Sequence, residues 1–172
     1  MEDANFAGNT KNMTDFLGKK WSYNCMGCAI REKEIIPPGG SIYEGKSFFV
    51  QQDPEVPIEG FLIVNVKQHV RSMIELTKEE RTEMVELINM SIKALKDLGI
   101  TSEVTVVQEE RSKHLHVWVF PTYPWMIEKF GKGITHLRAI HKYAQEHVTK
   151  EDIEKIMSTI EKLKEYFKDF KI

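Results

Sequence analysis

Apolar residues fall in short dense runs through the first two thirds of the chain and at helical spacing in the last third. Ser41 to Tyr43 and Ser47 to Gln51, the second carrying Phe48, Phe49 and Val50, predict two strands after the turn Pro37-Pro38-Gly39-Gly40. A loop holding Asp53, Pro54 and Pro57 ends at Gly60, and Phe61 to Val66 predicts a buried strand. Thr77-Lys78-Glu79-Glu80 has the form of a capping box, with Met84, Leu87, Ile88, Ser91, Ile92 and Leu95 behind it at helical spacing and Gly99 as a stop. Glu103 to Gln108 predicts a strand joined through the turn Glu109-Glu110-Arg111 to a second one, Lys113 to Phe120, as a hairpin. The sum is an α+β fold with one long helix.

Past Pro121 the pattern changes. Pro121, Tyr123, Pro124 and Trp125 predict an ordered loop, and Ile134 to His147 a helix between Gly133 and a second cap at Thr149-Lys150-Glu151-Asp152. The final helix repeats Ile153, Ile156, Ile160, Leu163, Phe167 and Phe170 at steps of three and four. That stripe is expected to pack on the chain's own core, being short for a coiled coil. Residues 1 to about 18 have little periodicity and read as a loose arm or short docking segment.

At 172 residues the chain can bury one sizeable core. Its formal charge of −2 is wrong for a surface that coats a nucleic acid duplex. No apolar run is long enough to cross a bilayer, and Met1 to Asn12 lacks an apolar signal core, so a cytoplasmic location is expected. The 2 cysteines make no disulfide framework.

The candidate chemistry sits in Lys113-His114-Leu115-His116-Val117-Trp118-Val119-Phe120. On a strand His114, His116 and Trp118 share one face, while Leu115, Val117 and Val119 share the other. Two adjacent imidazoles suit a metal, a phosphate or a nucleophilic reaction. Cys25-Met26-Gly27-Cys28 is by itself ambiguous between a redox pair and half of a zinc site, and no thioredoxin-like βαβ unit surrounds it. A zinc site needs two further ligands, for which His69 and His114 are the natural candidates.

Gly60-Phe61-Leu62-Ile63-Val64-Asn65-Val66-Lys67-Gln68-His69 resembles the segment of histidine triad (HIT) proteins in which a glycine, an apolar strand and a Lys-x-His lead into a helix. Asp53 stands seven residues before Gly60, where that family keeps an acidic residue on the nucleotide ribose. His114 to Phe120 resembles the family signature of histidines alternating with apolar residues, with Trp118 in the third histidine position. The resemblance spans roughly residues 23 to 121 and implies a HIT-like antiparallel sheet with a long helix, to which this chain adds a C-terminal helical extension. It divides the chain into an N-terminal arm (1–18), a HIT-like domain (19–124) and an extension packed on the same domain (125–172). It further implies a structural zinc on Cys25, Cys28, His69 and His114, with His116 as the nucleophile that forms a covalent nucleotidyl-histidine. Asp53, Ser112, Gln108 and Trp118 are then the expected nucleotide and phosphate contacts, Ser112 ahead of Gln108. Glu109, Glu110, Arg111 and Lys113 read equally well as a solvated turn. Tryptophan has one donor and no acceptor, so Trp118 changes what that position can do for a phosphate.

The function implied is hydrolysis or nucleotidyl transfer at the α-phosphorus of a nucleoside phosphate, such as a dinucleoside polyphosphate or a nucleoside phosphoramidate. A non-catalytic nucleotide-binding protein is the alternative that Trp118 motivates. A metallohydrolase with His114 and His116 on one catalytic metal ranks below both, because it leaves the cysteines without a purpose. A homodimer is expected, together with a nucleotide ligand and neither a nucleic acid duplex nor a membrane as partner. His136, His141 and His147 are expected to serve surface or packing roles. Trp125 and Tyr123 are open between lining the substrate pocket and packing.

Overall fold

The computed structural model describes residues 10–171; most of the expected arm, residues 1–9, lies outside the described residues. The centre is a five-stranded antiparallel sheet in the order β3-β4-β5-β7-β6. Its strands are β3 (Ser41–Glu44), β4 (Phe48–Gln52), β5 (Leu62–Val66), β6 (Glu103–Val107) and β7 (His116–Thr122). Directly opposed residues share a face, so the register sorts the sheet. Val50, Val64 and Val117 align on one face. On the other, Phe49, Asn65 and His116 form one row and Gln51, Ile63 and Trp118 the next.

The valine face is the main core. Against it pack the long helix α2 (Lys78–Asp97), on β4, β5 and β7, and the last helix α5 (Lys150–Phe167), on β3 and α2. Both helices begin with a complete capping box, at Thr77/Glu80 and Thr149/Asp152. Ile156, Ile160, Leu163 and Phe167 of α5 are buried in this core. Gly39, at φ 76°, lets the Pro37–Gly40 turn seat on Ile160: a Cβ there would come within 2.8 Å of that side chain. Glu83 of α2, 6% exposed, accepts the amides of Ser47 and Phe48 at the start of β4 and so ties helix to sheet.

The opposite face is covered from two sides. From one come a hairpin of β1 (Lys11–Thr14) and β2 (Lys20–Tyr23) and the short helix α1 (Met26–Arg31), packed on Phe49. From the other come α3 (Pro124–Phe130) and α4 (Leu137–His147), packed on Phe61 and Phe120. An open cleft between these covers exposes the centre of the face. Among the described residues no helix is long and apolar enough to cross a membrane.

Three expectations need correction. Residues 11–18 are no loose arm: they form β1 and a turn in which Asp15 accepts the amides of Leu17 and Lys19 and the Trp21 indole, and Phe16 is buried in the main core. Two isolated apolar residues, Met13 and Phe16, give no period to read, and their burial comes from partners distant in sequence. The His strand is entered later than expected. Leu115 bonds with Val66 and Val70 rather than with β6, so the ladder starts at His116 and the link from β6 is longer than a tight hairpin turn. Finally, Pro124 starts a helix rather than sitting in a loop, at the first-turn position where its missing N–H goes unused.

Candidate active site and metal centre

Cys25 stands at the N-cap of α1 and Cys28 within it, His69 follows β5, and His114 precedes β7. These four side chains converge, with every ligand atom within 4.8 Å of the others. The Sγ atom of Cys25 is 3.5 Å from His69 Nδ1 and 3.3 Å from His114 Nδ1; that of Cys28 is 3.1 and 3.6 Å from the same atoms. A tetrahedral zinc with ordinary Zn–S and Zn–N bonds has S···N edges of about 3.5 Å, so the four donors are already spaced for that ion. Nε2–H of His114 donates to the Val66 carbonyl at 2.7 Å, which sets the tautomer and turns the Nδ1 lone pair toward the thiols. Burial drives the His114 imidazole down to about 4, keeping it neutral, and pushes the Cys28 thiol up to about 12. A metal would hold Cys25 and Cys28 as thiolates and cross-link α1 to the sheet.

Gly27, between the cysteines, lies directly over the imidazole: a Cβ there would fall 2.4 Å from His114 Cδ2.

His116 is the first residue of β7. Its Nδ1–H donates to the His114 carbonyl at 3.0 Å, the oxygen that also accepts from Ser112 Oγ at 2.8 Å. Nε2 is left as the ring nitrogen with an available lone pair. The ring borders a cleft of about 260 Å³ whose other walls include Tyr23, Asp53, Glu55, Asn65 and Trp118. His116 also borders a second cavity, about 390 Å³, with Glu109, Arg111, Ser112, Trp118 and Arg138. Both cavities are of mixed charge, the first with Lys11 and Lys113 beside Asp53 and Glu55, the second with Glu109 paired to Arg111 at 2.9 Å.

Asp53 is 8% exposed, and its Oδ1 accepts the amides of Glu55 and Val56, both at 2.8 Å. Burial raises its carboxyl to about 7 in spite of those two bonds, and Glu55, itself raised by burial, stands beside it in the cleft. Of the expected contacts, Asp53, Ser112 and Trp118 line the cleft with His116. Gln108 lines neither cavity, and its buried Nε2 has no partner among the described residues.

Trp118 is also a packing anchor. Its ring stands 5.5 Å from Phe61, edge to face, and 5.3 Å from His141 of α4. His141, lowered to about 4 by burial, fills a packing role, while His147 stacks on Tyr143 with ring centroids 4.0 Å apart. Tyr123 and Trp125 border a separate cavity of about 370 Å³ with Tyr143 and His147, away from His116. Sequence reading passed over Arg138, Tyr23 and Asn65. Only Asn65 had a signal, as a lone polar residue inside the run Leu62 to Val66.

No protein-family model and no curated protein matches the sequence. Solved structures do match the fold. A hypothetical histidine triad nucleotide-binding protein from Sulfolobus tokodaii superposes with TM-score 0.59 at 20% identity, over 86% of this chain and 99% of that one. A Zn-bound histidine triad family protein from Mycobacterium smegmatis gives 0.56 at 16%, over 82% and 96%. The diadenosine triphosphate hydrolase of Plasmodium falciparum gives 0.51 at 13%, over 78% and 80%. The chain has the fold of histidine triad proteins, an antiparallel sheet with a long helix, and carries C-terminal helices beside it.

Proposed function

We propose that the protein is a HIT-type nucleotidyl hydrolase or transferase with a structural zinc on Cys25, Cys28, His69 and His114. The observation that carries this reading is the His116 ring, fixed through Nδ1–H to the His114 carbonyl at 3.0 Å on the border of the cleft that holds Asp53. Nε2 attacks the α-phosphorus of a nucleoside phosphate. An N–P bond forms, the P–O or P–N bond to the leaving group breaks with its electron pair, and a nucleotidyl-histidine results. Water or another acceptor then takes the nucleotide and returns the lone pair to Nε2. The bond from Nδ1–H to a fixed carbonyl stabilises the ring as it gains positive charge in the first step. Asp53 is placed to accept from a ribose hydroxyl, and Ser112 holds the carbonyl that orients His116.

Arg138 lines the second cavity with His116, together with Arg111 and its ion-pair partner Glu109, and is the side chain there suited to a negatively charged leaving group. Related folds support the reading in kind: one solved neighbour is Zn-bound and another is a diadenosine triphosphate hydrolase. A catalytic metal shared by His114 and His116 has no support, since both ring nitrogens of His114 are engaged, one toward the thiols and one by Val66.

The test is turnover of dinucleoside polyphosphates and nucleoside phosphoramidates by the wild type and by His116→Ala. Loss of at least about 10³-fold in kcat/KM in the variant is expected, and undiminished turnover would sink the assignment of His116. The second reading, nucleotide binding without chemistry, is favoured by the commitment of Trp118 to packing against Phe61 and His141. Tight binding of nucleotide with no turnover in the wild type would select it.

A further inference from the structure

Two carboxamides stand on the cleft face of the sheet among Phe49, Ile63, His116 and Trp118. Gln51 of β4 is 1% exposed and Asn65 of β5 is 6% exposed, in strands buried from end to end. Both side chains line the cleft with His116 and Asp53. Among the described residues Gln51 Oε1 and Asn65 Nδ2 have no hydrogen-bond partner. Buried polar groups are nearly always satisfied, and an unsatisfied one lowers stability. A leucine at either position would relieve the fold of that penalty. Gln51 and Asn65 differ from the other unpartnered groups, on Gln52, Gln108 and His141, in that both line the cleft beside His116, where a polar ligand can satisfy them.

The register says which part of a ligand each one meets. Asn65 is the direct cross-strand partner of His116, which puts the two Cβ atoms about 5 Å apart on the same face. A group on the phosphorus attacked by His116 comes within reach of Asn65 Nδ2. Gln51 lies one row further on, opposite Ile63, and two residues before Asp53 on the same strand side. It faces the nucleoside rather than the phosphate. A neutral amide donates to a phosphate oxygen without adding charge, and Trp118, at the next position on this face of β7, is tied into ring packing.

We infer that Asn65 is a further catalytic residue, donating through Nδ2 to a non-bridging oxygen of the α-phosphate, and that Gln51 binds the nucleoside beside Asp53. This rests on the reading of His116 above. The pair adds two uncharged amides to a cleft whose charged lining is Lys11, Lys113, Asp53 and Glu55, and so supplies neutral contacts to a nucleoside monophosphoryl group.

The experiment compares wild type, Asn65→Leu, Gln51→Leu and His116→Ala by steady-state kinetics on dinucleoside polyphosphates, by equilibrium binding of nucleoside 5′-monophosphates, and by thermal melting. Asn65→Leu is expected to melt at or above the wild type while kcat falls about 100-fold, with a smaller change in KM. Gln51→Leu is expected to weaken monophosphate binding about tenfold and to leave kcat less affected. If leucine at 65 does not fold, Asn65→Asp keeps the shape without the donor and carries the same kinetic expectation. A wild type that turns over beside an Asn65→Leu protein with kcat within about threefold of it overturns this inference alone. A wild type that binds monophosphate without turnover decides by affinity: about tenfold weaker binding to Asn65→Leu supports the contact, and equal binding overturns it. A wild type that neither binds nor turns over any nucleotide overturns the reading of the site itself, and this inference with it.

Discussion

At the scale of single residues, the proposed zinc site depends on what is absent from Gly27 as much as on its four candidate donors. A methyl group there would press on the His114 ring, which the Val66 carbonyl holds from the other side. Gly27→Ala is therefore expected to weaken zinc affinity roughly 10- to 100-fold, read by competition with a chromophoric chelator. Asp53 offers a test by pH. Its carboxyl is raised from 3.8 to about 7, so between about pH 4 and 7 the folded chain holds a proton that the unfolded chain has lost. Stability falls as pH rises through that window. Denaturation midpoints of the wild type should decline across it relative to Asp53→Asn, which has no carboxyl to titrate; parallel profiles would contradict the assignment. The convergence of Cys25, Cys28, His69 and His114 was legible in the sequence through the resemblance to histidine triad proteins, which tied together a C-x-x-C and two histidines that are ambiguous when read singly. Tyr23, Glu55 and Arg138 were not, because only the folded chain brings them, from the hairpin, a loop and α4, to the two cavities that border His116.

At the scale of elements, the strands and capped helices were readable from period and punctuation, since a capping box or a run of β-branched residues acts locally. The β1–β2 hairpin and the entry to β7 were not, since both depend on bonds to distant residues: Phe16 in the main core, and Leu115 with Val66 and Val70. Trp118 joins β7 to α4, and its loss should be felt in α4. Trp118→Ala is expected to cost about 2–4 kcal/mol in urea unfolding, near the lower range for a large buried aromatic because the ring is half-buried. Hydrogen exchange should quicken in α4 before α2. Glu83 makes the corresponding tie on the core face. Glu83→Ala strips the Ser47 and Phe48 amides of their acceptor and is expected to cost about 2–3 kcal/mol, measured in the same way.

At the scale of the molecule, one sheet serves two purposes. Its valine face carries the core with α2 and α5. Its other face is closed at one end by the N-terminal hairpin and α1 and at the other by α3 and α4, leaving His116 between them. The cluster of Cys25, Cys28, His69 and His114 joins α1 to the sheet, so removal of the proposed zinc should loosen α1 and lower the melting temperature without dissolving the α2 core. Retention of full thermal stability by a chelator-treated, metal-free protein would contradict the structural role given to the site. The central claim is the nucleophilic role of His116, and intact-protein mass spectrometry within milliseconds of mixing with a dinucleoside polyphosphate tests it most directly. The expected result is a transient mass increase of one nucleoside monophosphoryl group, mapped by peptide sequencing to His116 and missing from His116→Ala. Turnover with no adduct on His116, or an adduct that persists in His116→Ala, would contradict it.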